Sequence, residues 1–340
     1  DVSVEAGKQI IGRSGAIDEQ DGRVDPWSHF VNAYVLDRAG NRIDRRNAED
    51  IFTKLYDHQI PPGAADVVHY ALRIPETATG PIRVTAHLRY RKFDTDYVQA
   101  FQGANFAGND LPIVTIASDT IVLPVGGTAP IVAAPPTPEW ERWNDYGIGF
   151  LRKPERSALR QAEAAFREVA RLGRPEGSLN LGRTYIEEGR LDEAADELRR
   201  AADAGAYPWS IDWFSAMVDL QMGELDSAIT RLRSLAGTQY AEARRRGFDF
   251  ARDYRLQNRL AQVLFERAKL GTTDAETTEY LEAAAARYSQ ALLLDPENLA
   301  AHYGIAQVYS RLGREELAEQ HRALHAVYRP DDNARDVAIT

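Results

Sequence analysis

Small residues recur through the second half of the chain at a spacing near 34. Ala162, Ala194, Ala228, Ala284 and Ala318 stand 32, 34, 56 and 34 residues apart. The flanking positions keep the same phase. Leu181-Gly182 and Tyr185 precede Ala194 by thirteen, twelve and nine residues, and Ile305-Ala306 and Tyr309 precede Ala318 by the same intervals. Gly189, Gly223 and Gly313 each stand five residues ahead of an alanine, and Asp295-Pro296 and Arg329-Pro330 close the last two units. A period of this length describes a unit too small to bury its own apolar face, so neighbouring units must stack. Small residues let two helices approach closely, bulky ones fill the seam, glycine turns one helix into the next and proline stops the second. The 56-residue interval exceeds the 34-residue period by 22 residues. It predicts an extra helix around 240–250 and a loop at Gly271-Thr272-Thr273-Asp274.

The first half has a different rhythm. From Ile82 to Tyr90, Ile82, Val84, Ala86, Leu88 and Tyr90 alternate with Arg83, Thr85, His87 and Arg89, the period of a strand with one buried face. Val68, Tyr70, Leu72 and Ile74 alternate the same way, and Pro75-Glu76-Thr77-Ala78-Thr79-Gly80-Pro81 reads as the hairpin loop between the two. Residues 30–36 and 111–123 read as further strands, and Asp1-Val2-Ser3-Val4-Glu5 already reads as strand. Several short strands with polar turns suggest an antiparallel β-sandwich over 1–125. A proline-rich connector follows at 126–138, an extended and semi-rigid composition. The expected architecture is thus a β-sandwich, the connector, an α-solenoid of about five helical hairpins over 139–330, and a polar tail at 331–340.

Composition narrows the function. Net charge is −10, with 13 Lys+Arg against 17 Asp+Glu in residues 1–138 and 28 against 34 in the remainder. Two mildly acidic halves argue against a nucleic-acid partner. No run of about 18 apolar residues offers a membrane-inserting helix. Cysteine is absent, which removes disulfides, thiolate zinc sites and covalent haem attachment. The two methionines are Met217 and Met222, and no signal peptide is visible, so the chain reads as a processed product or part of something longer. No nucleophile elbow, phosphate loop or His-Glu-x-x-His helix appears, and an enzyme is not expected.

The phased alanines, glycines and aromatics resemble the tetratricopeptide repeat family over about 139–330. The resemblance implies a right-handed superhelix whose concave groove binds peptides or neighbouring domains, with no chemistry. The first half resembles the β-domain of bacterial multihaem c-type cytochromes that carry such repeats. The likeness is carried by Arg46-Asn47-Ala48-Glu49-Asp50-Ile51-Phe52, Ile60-Pro61-Pro62-Gly63-Ala64, Arg89-Tyr90-Arg91-Lys92-Phe93-Asp94 and Leu111-Pro112-Ile113-Val114. That family's haem motifs are missing here. No cofactor is expected in this chain, and haem only if an upstream region exists. The resemblance implies a location outside the cytoplasm (periplasm, cell surface or extracellular space).

Four groups of residues are candidate sites. If Ile74 pairs with Ile82, the same register sets His69 opposite His87 on the wet face, where the pair holds a metal, serves a neighbour's haem, or is simply solvated. His321 and His325 lie one turn apart on the last helix, with His302 on its partner, a spacing that suits zinc or core packing. Trp140, Trp143, Trp209 and Trp213, at the start of the repeats, either pack the helices or anchor a protein partner. Val2 and Val4 on the first strand, with Ile131 and Val132 in the connector, offer an open edge and a segment to cover it. The expected role is a non-catalytic protein–protein interaction or assembly module, self-associating through strand addition and solenoid stacking into an extracellular filament. The alternative is the partner-binding tail of a multihaem electron-transfer protein.

Overall fold

The computed structural model describes residues 1–43, 47–78, 80–125, 136–153 and 156–329. The chain divides into a first unit within Asp1–Pro136 and a second of Thr137–Arg329. Most of the connector, including Ile131 and Val132, and the tail at 331–340 lie outside the described residues.

The first unit holds six strands: β1 (Val2–Ala6), β2 (Gln9–Arg13), β3 (Ala33–Leu36), β4 (Thr53–Asp57), β5 (Ile82–Tyr90) and β6 (Val114–Leu123). One antiparallel sheet has the order β2-β1-β5-β6, and β3 pairs with β4 in a separate two-stranded ribbon. This corrects the sandwich expectation, because the ribbon is far smaller than a facing sheet. Helix α1 (Thr95–Gln102) is capped by the Asp94 side chain, which accepts from the Tyr97 amide. Arg42, beside the ribbon, donates to Asp94 and Asp96 at that helix start, where carboxylates also suit the helix dipole.

The strand at Ile82–Tyr90 forms as its alternation requires, but its neighbours differ from expectation. Residues 68–74 form no strand. The place beside β5 is taken by β1, with Val4 opposite Val84 and Ala6 opposite Ile82. On the other side β6 sets Ile121 opposite Val84 and Leu123 opposite Ile82. Apolar side chains of three strands therefore share one face. Ile82 and Ala6 are buried there, while Leu88, Tyr90, Ile121 and Leu123 are exposed. Leu72 approaches this sheet by its side chain alone: a Cβ on Gly12 of β2 would lie 2.9 Å from it.

Among the described residues of the second unit, ten helices form five antiparallel hairpins. They are α2 (Glu139–Leu151) with α3 (Arg156–Arg171), α4 (Pro175–Glu188) with α5 (Leu191–Asp203), and α6 (Pro208–Met222) with α7 (Leu225–Gly237). After the short α8 (Ala241–Arg245) and a 3-10 turn at Phe250–Arg252 come α9 (Tyr254–Ala268) with α10 (Asp274–Leu294), and α11 (Leu299–Arg311) with α12 (Glu315–Tyr328). The extra helix and the loop predicted for the long interval are both present.

Local chemistry explains the helix ends. Gly189 and Gly223 cap α4 and α6 in the left-handed conformation, with φ of 75° and 85°, which side chains disfavour. Proline opens α4 and α6. Asp253, Thr273 and Asn298 cap α9, α10 and α11 through their side-chain oxygens, satisfying amides that a helix start leaves unpaired.

The five phased alanines all have 0% exposure. Each lies on the second helix of its hairpin. The opposing positions are equally tight. A Cβ on Gly182 would lie 2.9 Å from Leu198, and one on Gly304 would lie 2.2 Å from the Tyr288 ring. Around these crossings Leu232, Leu235, Leu256, Leu260, Leu264, Ile305 and Val308 are almost wholly buried in one core running from α6 to α11. Each such side chain contributes about 1.5–3 kcal/mol by leaving water. Ala194→Trp and Ala318→Trp should each destabilise the second unit by about 1–3 kcal/mol or more through overpacking. A urea midpoint unchanged in both variants would show that these alanines do not mark the crossings.

Candidate functional site

The first helices of successive hairpins touch one another: α2 meets α4, α4 meets α6, and α9 meets α11. They form the inner row of the stack. Side-chain bonds run along that row. Asn180 on α4 donates to Asn144 Oδ1 on α2 at 2.9 Å, and Arg183 donates to Asn180 Oδ1 at 2.8 Å. The Arg183 guanidinium also lies 5.2 Å from the Phe214 ring centre on α6. Burial draws the Arg183 pKa down, opposed by Glu187. Further along, Asn258 on α9 donates to Asn298 Oδ1 at 2.7 Å. The Asn258 Oδ1 atom is itself buried without a partner.

Three cavities follow this row and share walls. The first, about 340 Å³, lies where α8 and the 3-10 turn stand between α6 and α9, and is lined by Trp209, Trp213, Phe214, Phe248, Phe250 and Arg255 among others. The second, about 730 Å³, runs between α9 and α11 past Arg255, Arg259, Phe265 and Tyr303. The third, about 580 Å³, continues from Phe265 and Tyr303 to Lys269, Arg311 and His325. Arg255 borders the first two, while Phe265, Tyr303 and Gln307 border the last two. Together they make an elongated groove with aromatic walls and a basic rim.

No family profile matches the chain, and no curated protein matches it. Solved structures do. MamA MSR-1 is 19% identical with a TM-score of 0.40, over 56% of this chain and 95% of that one. A segment of MamA from Desulfovibrio magneticus RS-1, position 41 to the end, is 16% identical with a TM-score of 0.43, over 56% of this chain and 94% of that one. The APC/C hetero-tetramer Cut9-Hcn1 gives 20% identity and a TM-score of 0.44, over 59% of this chain and 36% of that one. At this identity and superposition the likeness assigns neither partner nor activity. The helical hairpins and their stacking stand on the packing described above.

The four tryptophans separate into two pairs. Trp140 on α2 carries the Arg174 guanidinium at 4.2 Å from its ring centre, and Trp143 is exposed, edge-on to Tyr146. Trp209 and Trp213 on α6 pack partly against the core and also wall the first cavity. Trp209 stacks on Tyr207 at 4.5 Å.

The proposed pairing of His69 with His87 is overturned. His87 on β5 has Ser118 of β6 as its strand partner, and His69 lies in the segment that forms no strand. Val2 and Val4 are likewise not on an open edge, since β1 is paired on both sides. The His321–His325 spacing also fails to gather a ligand set: His325 faces Tyr303 at 5.4 Å, while His321 pairs with His302. Among the described residues no group of three or more His, Cys, Asp or Glu side chains could hold a metal ion. Sequence reasoning missed a second histidine cluster in the first unit. There His29 Nε2 lies 2.8 Å from Asp66, His29 stacks on His58 at 4.8 Å, and His58 stacks on Tyr56 at 4.6 Å. These residues are 37 or fewer positions apart yet follow no local period, so only the folded ribbon brings them together.

The His302–His321 contact has a defined proton arrangement. His302 is buried, and its Nε2 lies 2.9 Å from the Pro296 carbonyl, to which it donates. With Nε2 donating, His302 Nδ1 is the ring atom that can accept from His321 Nδ1, 2.9 Å away. Burial, and then the neighbouring His302, lower the His321 pKa below 6.5. Below pH 6.5 the unfolded chain takes up a proton that the folded chain resists, so stability falls as pH drops toward the folded value. The melting temperature should therefore decline between about pH 7.5 and 5.5, and the His321→Gln variant should show a flatter decline. Identical slopes in the two proteins would count against a role for this pair.

Proposed function

We propose that the chain is a non-catalytic interaction module whose second unit receives an extended segment of another protein in its inner groove. The observation that carries this reading is the run of three cavities joined by shared walls along α6, α9 and α11. Exposed aromatic surface supports it: Tyr303, between two of the cavities, is 58% exposed in the middle of an otherwise buried helix stretch. Aromatic side chains at a concave surface are common anchors of protein recognition. A place outside the cytoplasm rests on the resemblance of the first half to extracytoplasmic β-domains. A redox role would require a haem region beyond these residues, since no cysteine is present to attach one.

Peptide-display selection against the full chain tests the groove. Selected peptides should lose binding when Gln307, at the junction of two cavities, is changed to Trp, and should retain it with Leu293→Trp on the outer helix α10. Selection of peptides indifferent to Gln307→Trp would place recognition elsewhere.

A second reading, self-association, is favoured by one feature of the first unit. Among the described residues strand β6 pairs only with β5, and nine of its ten residues are exposed, among them Val114, Ile116 and Ile121. A ten-residue apolar edge of this kind is a template for strand addition, and head-to-tail addition without closure propagates into a filament. Sedimentation should show concentration-dependent association of the full chain that Ile116→Lys with Ile121→Lys abolishes. A monomer at all concentrations up to about millimolar would exclude it.

A further inference from the structure

The groove has a chemical preference that its walls disclose. Many arginines and lysines of the second unit are held by carboxylates. Arg267 pairs with Asp226 and Glu276, Lys269 with Glu266, Arg314 with Glu282, and Arg322 with Glu315 and Glu319. Three groove arginines differ. Arg255 lies over Tyr254, Arg259 donates to Gln262, and Arg311 lies beside Phe265. None of the three makes a direct ion pair with a carboxylate among the described residues, although Asp253 attracts Arg255 from farther off. The acidic side chains bordering the three cavities are Glu266, neutralised by Lys269, and Asp253, whose carboxylate caps α9. In a chain of net charge −10, a groove left with uncompensated cations is a local reversal of sign.

The end of the groove beside α8 has a different character. Its aromatic walls come from α6 and from residues 238–253, the extra segment between the third and fourth hairpins. Tyr240 meets Phe250 edge-on at 5.7 Å, Phe248 meets Phe250 edge-on at 4.7 Å, and Trp209 meets Tyr240 edge-on at 5.4 Å. This mutual packing fixes the cavity, while Phe248 stays 44% exposed at its rim. At about 340 Å³ the cavity has room for one large apolar side chain, and Arg255 stands at its exit toward the second cavity.

Resting on the groove reading above, we propose that the occupant is an acidic, extended peptide segment with one bulky apolar anchor. The anchor enters the aromatic cavity formed by the inserted segment, and the carboxylates beyond it meet Arg255, Arg259 and Arg311. The chain's overall negative charge does not oppose this, because screening confines each charge to about 8 Å at physiological salt. Within that distance the groove's own arginines dominate. Arginine also offers a planar fork suited to carboxylates.

The test uses the full chain and a short fluorescein-labelled peptide with one phenylalanine followed by alternating glutamate and serine. Two control peptides replace glutamate by lysine or phenylalanine by serine. Fluorescence anisotropy at low salt should show the acidic peptide binding about tenfold or more tightly than either control, with binding weakened as salt rises. The variant Arg259→Glu with Arg311→Glu should lose the acidic peptide and gain the lysine peptide, and Phe248→Ser should erase the advantage of phenylalanine. Circular dichroism confirms folding of each variant. Equal binding of all three peptides, blocked by Gln307→Trp, would overturn the acidic-and-aromatic assignment and leave the groove standing. Failure of the acidic peptide to bind, while display-selected peptides of other composition bind and are blocked by Gln307→Trp, would overturn it equally. Binding of the acidic peptide that survives Gln307→Trp would overturn both.

Discussion

Close approach at the helix crossings is the constraint on which the second unit depends. An alanine with no exposed surface in each hairpin, faced at two places by a glycine that a methyl group would drive into Leu198 or Tyr288, sets how near the helices come. Nearness determines which larger side chains can interdigitate, and interdigitation creates the core from α6 to α11. No hairpin could bury its apolar stripe alone, so each is stabilised by the next. The inner row and its groove are by-products of that stacking: the same face that seats one helix against its neighbour leaves a trough along the other side.

Much of this was legible because the constraint is local and repeated. A small residue every 34 positions, a glycine five before it and a proline at the close can all be read without knowing what touches what. Even the irregular interval was informative, since 22 extra residues must go somewhere, and α8 and the turn at Phe250–Arg252 are where they went. What the interval does not disclose is that those residues turn their aromatics onto Trp209 and wall a cavity. Trp209 and Trp213 read first as packing and second as contact surface, and they pack partly against the core while also lining a cavity.

The sheet was harder, for a physical reason. Alternation at Ile82–Tyr90 and at residues 68–74 is the same signal, yet only the first becomes a strand. Alternation states which side chains share a face, whereas pairing depends on which distant segment supplies the hydrogen bonds. The segment that does so for β5 is β1, some eighty residues earlier, and nothing in either stretch announces the other. One neighbour decides the rest: with β1 beside β5, His69 does not face His87, and among the described residues the free edge falls on β6 and not on Val2 and Val4. His302 and His321 were nearer to hand, being on paired helices of one hairpin, but the choice between His321 with His325 and His321 with His302 needed the crossing geometry.

The inserted segment between the third and fourth hairpins has an implication for how such a chain can change. In a stack where each hairpin leans only on its neighbours, extra residues at a seam need not disturb the alanine crossings on either side. Residues 238–253 are therefore a cassette: their two ends are fixed by α7 and α9, Tyr240 and Phe250 seat them on the core, and the positions between can change. Lineages or engineers that replaced the contents would retune what the groove accepts at one end while inheriting the scaffold unchanged. The seam separates the part of the molecule that must be conserved in order to stand from the part that can be rewritten in order to choose.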